Sequence, residues 1–367
     1  MKTLAATFVL ALLASAYAGA QQPRFNAATG RMEGLSAVTE STATVKLLGM
    51  TLRPREVYVK WTGQSAKTTW IGEVSEFPGS TAIFTTIDGF TSGTLLLPGM
   101  TIAFLPNGNV VLGEGHLACG TPERPEEYGR DLVLDPKRRR DPPVPRPVEV
   151  RIGLPFSSRA ATLAGGVAAM QAFLLHEEDV LNEQIRLSGA AADWRIKVVG
   201  VELHPKYDEL NPNRSSFKYL NERTLKGYRY RKDVQAHLIL MIVSSLSNPG
   251  LGGSATQYTG KQWDAYGLVQ FDQIVNGALM HELGHLMNML HEAGFYACPS
   301  GGTRLDTDFA TVMWQSLIPV PCSATPIQQY SNPAATAFGN TPTGDVDHCN
   351  VCRARVTLDR LYTFNRK

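Results

Sequence analysis

After its first twenty residues the chain has no run of about 18 uncharged apolar residues, so no later segment is expected to cross a membrane as a helix. Neither sign of charge dominates. The 35 Lys and Arg against 33 Asp and Glu leave a formal net charge of +2, which argues against a nucleic-acid binder and says nothing about substrate charge. Histidine and cysteine are scarce, with 8 and 5 in 367 residues, so any place where they gather carries information. No internal repeat is evident. What the chain does have is 43% hydrophobic residues, enough for two domains with their own cores and too many for a disordered composition.

The N-terminus explains the one apolar run. Lys2, the stretch Leu4 to Leu13, and Ala18-Gly19-Ala20 before Gln21 read as a secretory signal peptide over residues 1–20, too short for an anchor. The product is expected to be secreted, extracellular and without a membrane anchor.

Three of the eight histidines lie within eleven residues, in HELGHLMNMLH from His281 to His291. On a helix His281 and His285 share one face, the geometry two imidazoles need to grip one metal ion, and Glu282 projects beside them. His291 follows six residues after His285, which matches the pattern H-E-x-x-H-x-x-G-x-x-H with Asn288 where the pattern has Gly. The helix must stop there so that the chain can return His291 to the metal, and Asn tolerates left-handed backbone better than most residues with a side chain. Three His and a Glu at these spacings would arise by chance in about one such sequence in ten thousand. Three imidazoles leave a fourth tetrahedral position for water, so the residues read as an open, catalytic zinc site rather than a closed structural one. Glu282 is then the general base that takes the water's proton and passes it to a leaving amine. The bland alternative is an amphipathic helix whose histidines are solvated or satisfied in the core.

With these residues in place, the sequence resembles the metzincin metalloendopeptidases from about Val148 to the C-terminus. The run Ala310-Thr311-Val312-Met313-Trp314 looks like the family's methionine turn, with Met313 as the floor of the site; plain core packing is the competing role. Gln315 stands where some relatives have a metal-binding Tyr, so no fourth protein ligand is assigned. Tyr330-Ser331-Asn332-Pro333 and Thr341-Pro342-Thr343-Gly344 look like segments of the reprolysin-like secreted type. The resemblance implies an α/β, metzincin-type catalytic domain: a twisted mixed sheet, an active-site helix and a small C-terminal subdomain. It also implies Zn2+ and a polypeptide substrate held in extended conformation. By the same resemblance Cys298 pairs with Cys322 around the methionine turn, leaving Cys349 to pair with Cys352. Half of a metal-binding knuckle is the alternative for Cys349-Asn350-Val351-Cys352.

Residues 21 to 140 read as β-rich. Val57 to Trp61, Trp70 to Val74, Ala82 to Ile87 and Ile102 to Leu105 are short β-branched or aromatic runs, with Asp88-Gly89 and Asn107-Gly108 as turn signals. An antiparallel meander or small sandwich is expected. Lys137-Arg138-Arg139-Arg140 then leads into a proline-rich linker at 141–147, extended and exposed, where nicking concentrates. The run resembles the multibasic sites of secretory processing proteases, so cleavage after Arg140 would make 21–140 a propeptide; a solvated basic patch is the alternative. Cys119 would be an odd cysteine in a secreted protein: a dimer link, a free buried thiol, or a thiolate on the zinc that keeps the enzyme latent. Cys119-Gly120 resembles the family's cysteine switch, and His116 is a second candidate for the blocking ligand.

The second domain, 148–367, opens with Val148, Val150, Ile152 and Leu154 in strand alternation. A helix follows, on Val167, Met170, Leu174, Leu181 and Ile185, and ends at Ser188-Gly189. Trp194, Ile196 and Val198 predict a second strand, and Ala236 to Val243 a central strand covered on both faces, with His237 a satisfied core histidine. Gly250 to Tyr258 is either the edge strand along which a peptide docks or a flexible glycine loop. Asn213-Arg214-Ser215 is an N-glycosylation sequon. Val356, Leu361 and Phe364 predict the inner face of a closing helix. A monomer is expected. Two other functions stay open: a zinc hydrolase for a non-protein amide such as a cell-wall crosslink, and a catalytically silent binding protein on the same scaffold.

Overall fold

The computed structural model describes residues 23–62, 65–113, 144–204, 207, 209, 226–246, 251–255, 265–291, 296–297, 309–313, 325–337, 341–345 and 348–364. It is a mixed α/β molecule of two compact units. The first takes in the described residues up to Gly113 together with Ala161–Val180, and the second the other described residues from position 144 onward. Among the described residues no helix is long and apolar enough to cross a membrane. Residues 1–20, expected to be a signal peptide, lie outside the described residues, as do Cys119, the basic run ending at Arg140, Asn213, Cys298 and Cys322.

The first unit begins with a small hairpin, β1 (Arg24–Asn26) and β2 (Arg31–Glu33). A seven-stranded antiparallel meander follows in chain order: β3 (Val45–Leu47), β4 (Met50–Thr62), β5 (Ser65–Val74), β6 (Thr81–Ile87), β7 (Phe90–Leu97), β8 (Met100–Phe104) and β9 (Val110–Gly113). Of the two forms expected, the meander is the one found. Asp88 and Gly89 have φ of 50° and 79° and join β6 to β7, with Ile87 facing Phe90 across the turn. Two central residues with positive φ give the twist that suits adjacent antiparallel strands, which is why Asp-Gly signals a hairpin. One face of the sheet is apolar, built on Trp70, Phe84 and Phe104, with Phe84 and Phe104 stacked at 5.8 Å between ring centroids.

The long helix Val167–Leu187 contributes its residues up to Val180 to this unit. Here a lysine is fully buried. Lys67 Nζ lies 3.0 Å from Asp179 Oδ2 and donates to the Leu175 carbonyl at 2.8 Å. Asp179 also accepts from Thr69 at 2.8 Å, Thr85 at 3.0 Å and Tyr58 at 3.2 Å. A buried charge is tolerable only when paired and hydrogen-bonded, and this one is. The Thr85 hydroxyl gives its proton to Asp179, so His176, 2.9 Å away, donates to it from Nδ1 and accepts from Thr94 at Nε2. Burial holds that imidazole neutral, pushing it down to about 3.

In the second unit a five-stranded sheet runs in the order β11 (Trp194–Gly200), β10 (Val148–Gly153), β12 (Leu238–Val243), β14 (Tyr266–Gln270), β13 (Gly253–Ala255). The first four are parallel, and β13 pairs antiparallel with β14 at the edge. All six residues of β12 are buried, as a continuous apolar run in the middle of a parallel sheet requires. Val148, Val150 and Ile152 on β10, and Trp194, Ile196 and Val198 on β11, point into cover as their alternation predicts. His237 is a satisfied core residue: its Nδ1 accepts from the Arg151 backbone N–H at 3.1 Å. The glycine-rich stretch holds the edge strand β13, not only a loop. A C-terminal helix, Asn350–Phe364, buries Val351, Ala354, Leu358 and Leu361 at helical spacing; the side chains of Val356 and Phe364 lie outside the description.

Beside Asp179, burial raises the Glu177 carboxyl from 4.5 to about 8, with the Asp179 charge adding to it. The folded state thus keeps a proton that the unfolded chain releases above pH 4.5, so this group's contribution to stability is full below about 4.5 and declines as pH rises towards 8. Glu177→Gln should remove that decline, making the variant more stable than the parent at pH 8 by on the order of a few kcal/mol while matching it near pH 4.5. Urea unfolding at the two pH values measures the difference; equal pH slopes for the two proteins would contradict it.

Candidate metal centre

The helix Ala278–Leu286 carries the two leading histidines, and every residue in it is buried. It starts at Gly277, whose φ of 89° turns the chain in from the segment after β14. Past its last turn, Asn288 has a φ of 65°, the left-handed conformation expected where the motif calls for glycine. The reversal that follows lets Met289 N–H bond back to the Gly284 carbonyl at 2.9 Å, and it delivers His291 to the same side as His281 and His285.

Asn350 fixes this return. Its side chain accepts from Leu290 N–H at 2.9 Å and donates to Leu290 C=O at 3.1 Å, while its own N–H donates to Ser331 Oγ at 2.9 Å. Arg353 donates to the Asn288 carbonyl at 3.1 Å. The neighbouring Cys349 and Cys352 are joined in a disulfide, which removes them as metal ligands.

The three Nε2 atoms converge. His281 to His291 is 3.1 Å, His285 to His291 3.1 Å, and His285 to His281 3.2 Å. The other ring nitrogens show which way the protons lie. His281 Nδ1 faces the Val312 carbonyl at 2.7 Å and His285 Nδ1 the Met289 carbonyl at 3.2 Å. A carbonyl can only accept, so each Nδ1 carries the hydrogen and each of these Nε2 atoms presents a bare lone pair. Burial reinforces this by holding the rings neutral: His281 is pushed down to about 3 and His291 to about 4, with His285 also well below its ordinary value. Lone pairs aimed at one point are a cation site. Nitrogens spaced this way can all lie about 2.0–2.1 Å from a single ion, the usual distance for zinc, at angles of roughly 100°. Backbone carbonyls orienting the far ring nitrogen are the common outer support of such ligands. His281, His285 and His291 can therefore hold one metal ion.

Below the helix, Met313 is fully buried, and a Cβ placed on Gly284 would come within 2.6 Å of its sulfur. The thioether thus rests on helix backbone between His281 and His285, while Val312 of the same turn orients His281. Tyr330 completes the support by donating its hydroxyl to the Met280 carbonyl at 2.5 Å. Glu282 is buried beside the edge strand: a Cβ on Gly253 would lie 2.5 Å from its Oε1. The structural parts played by Asn350, Tyr330 and Gly253 were not readable from the sequence, because each acts across a long separation without a spacing rule. The one hint was a glycine-rich stretch ahead of the motif.

Loaded with Zn2+ and dialysed, the protein should retain one ion per chain by plasma mass spectrometry. Alanine at His281, His285 or His291 should weaken binding by more than the 10–100-fold typical of outer-sphere changes. Asn288→Gly should bind as the parent does, whereas Asn288→Val, strained at positive φ, should bind at least about tenfold more weakly. Undiminished binding in all three histidine variants would contradict the site.

No protein-family model matches the sequence, nor does any curated protein. Among solved structures the chain is similar to one described as "Structure of a chaperone-substrate complex", at 16% identity and a TM-score of 0.46. The match covers 59% of this chain and 36% of the other, so this chain spans about a third of that structure's length. A likeness of that size bears on neither fold nor function, and the metal centre stands on its own geometry.

Proposed function

We propose that the protein is a secreted zinc metalloendopeptidase made as a zymogen, with a metzincin-type catalytic domain. The observation that carries this reading is the convergence of three neutral Nε2 atoms, with a glutamate on the helix that carries two of them, next to the edge of a sheet. His281, His285 and His291 would hold the ion, and the chemistry zinc supplies when bound is Lewis acidity and a lowered pKa for water. Zinc is the preferred metal because three imidazoles and an open position suit it and the centre has no cysteine ligand among the described residues.

Glu282 is the general base. It takes a proton from water and later returns it to the leaving amine, which needs a carboxylate held in a fixed rotamer close to the ligand histidines. Gly253 makes room for that rotamer, since any side chain there would occupy the place of Oε1. The strand β13 that contains Gly253 lies at the sheet edge, so its outer backbone N–H and C=O groups are positioned to pair with an extended peptide. One short strand would thus serve both to align the substrate and to admit the base. Met313 and Tyr330 stiffen the helix that carries the ligands. Export by the N-terminal signal sequence and processing after Arg140 belong to the same reading, as does latency through Cys119.

Mass spectrometry of peptides released from denatured casein, with and without a chelator, tests the class directly: chelator-sensitive internal cleavage is expected. Release of no peptides, together with hydrolysis of a non-protein amide, would move the same site to the alternative substrate class. Glu282→Ala should keep stoichiometric zinc yet lose at least about a thousandfold in turnover. Activity above about a tenth of the parent's would remove Glu282 from the role. Gly253→Ala should likewise keep its zinc and lose on the order of a hundredfold in kcat, the scale of a misplaced catalytic group. A kcat equal to the parent's would show that the glycine is incidental.

A further inference from the structure

The first unit is discontinuous in sequence: the meander precedes the basic run at Lys137 to Arg140, and the helical stretch Ala161–Val180 follows it. Strand pairing shows which side of the meander meets that stretch. Thr69 pairs with Thr85, Thr85 with Ser92 and Lys67 with Ile87, so these side chains share one face, and Thr94, paired with Ile83, lies on it too. Trp70 pairs with Phe84 on the opposite face, where the apolar core lies. The sheet therefore has two buried faces of different character. One is an apolar interior. The other carries Lys67, Thr69, Thr85, Ser92 and Thr94 among isoleucines, and Lys67, Thr69, Thr85 and Thr94 bond to Leu175, His176 and Asp179 of the helix.

Hydroxyls, one ion pair and a few aliphatic groups make this second face a polar contact, unlike the apolar interior on the other side. The sheet's side carries a lysine and four hydroxyl residues, groups that water solvates when they are exposed. Joined, sheet and helix are held by a charge pair whose two side chains are each only 2% exposed. To separate them, Lys67 and Asp179 must leave each other before water reaches either one, which makes dissociation slow.

We propose that cutting the chain at the basic run does not release the N-terminal sheet, and that the product is a two-chain molecule in which the sheet stays docked on Ala161–Val180 through the Lys67–Asp179 lock. The proposal deepens the zymogen reading and rests on it only for the existence of the cut. Removal of the sheet then needs a second event, such as cleavage within the sheet itself.

The test supplies the cut independently. In the full-length protein, Lys137 to Arg140 is replaced by a site for an added sequence-specific protease, and the cut sample is examined by gel filtration and native mass spectrometry at micromolar concentration. The expected result is a single species containing both fragments in equal amounts, which separates only in denaturant. Separate elution without denaturant would overturn the proposal. Lys67→Met and Asp179→Leu, each confirmed as folded before cutting, should shed the fragment at least tenfold faster. The double variant, which leaves no unpaired buried charge but has no lock, should still shed it faster than the parent. Retention by both single variants as firm as the parent's would reject the ion pair as the lock. Co-elution is read without substrate, so a cut molecule with no peptidase activity would count against the protease reading and not against retention.

Discussion

Three imidazole nitrogens converging on one point are the constraint on which the rest of the second unit depends. The three imidazole nitrogens lie 3.1–3.2 Å apart, and His281 and His285, whose ring protons are committed to carbonyls elsewhere, present bare lone pairs to each other. One cation can be bound by all three nitrogens at once. Maintaining this convergence asks for rigidity from every side, and each neighbouring segment supplies a part. Val312 and Met289 lend carbonyls, Met313 and Tyr330 brace the helix, and Asn350 pins the strand of chain that returns His291. The parallel sheet behind them fixes the point from which the helix departs.

The ligand set was legible because helical spacing alone places His281 and His285 together. The stop after the helix was legible too, since Asn288 is a residue that tolerates the φ of 65° it adopts. Strand identity followed from alternation on β10 and β11 and from the unbroken apolar run of β12. What stayed hidden is of another kind. Asn350 bonds to Leu290 sixty residues away, and Tyr330 to Met280 fifty away. Long-range contacts of this sort have no local period, and neither an Asn in a helix nor a Tyr in a loop announces its partner. Gly253 was visible as part of an edge strand or a flexible loop, but not as the place where a Cβ would meet the Glu282 side chain.

The same limit applies to the N-terminal unit. Alternation and the Asp88-Gly89 turn identify a meander, yet a buried lysine reads in sequence as a surface residue. Only the pairing of β5 with β6, and the helix laid against them, show that Lys67 and Asp179 meet. The sequence reading assigned the helix beginning at Val167 to the second domain as a whole. Its residues up to Val180 in fact cluster with the meander, so one helix belongs to both units and the boundary between them is not a single point along the chain.

The central claim is that His281, His285 and His291 together bind one ion through Nε2. X-ray absorption at the zinc edge, on protein carrying one equivalent of the metal, tests it most directly. The account predicts three imidazole shells at about 2.0–2.1 Å. A spectrum that fits fewer than three imidazoles would contradict it.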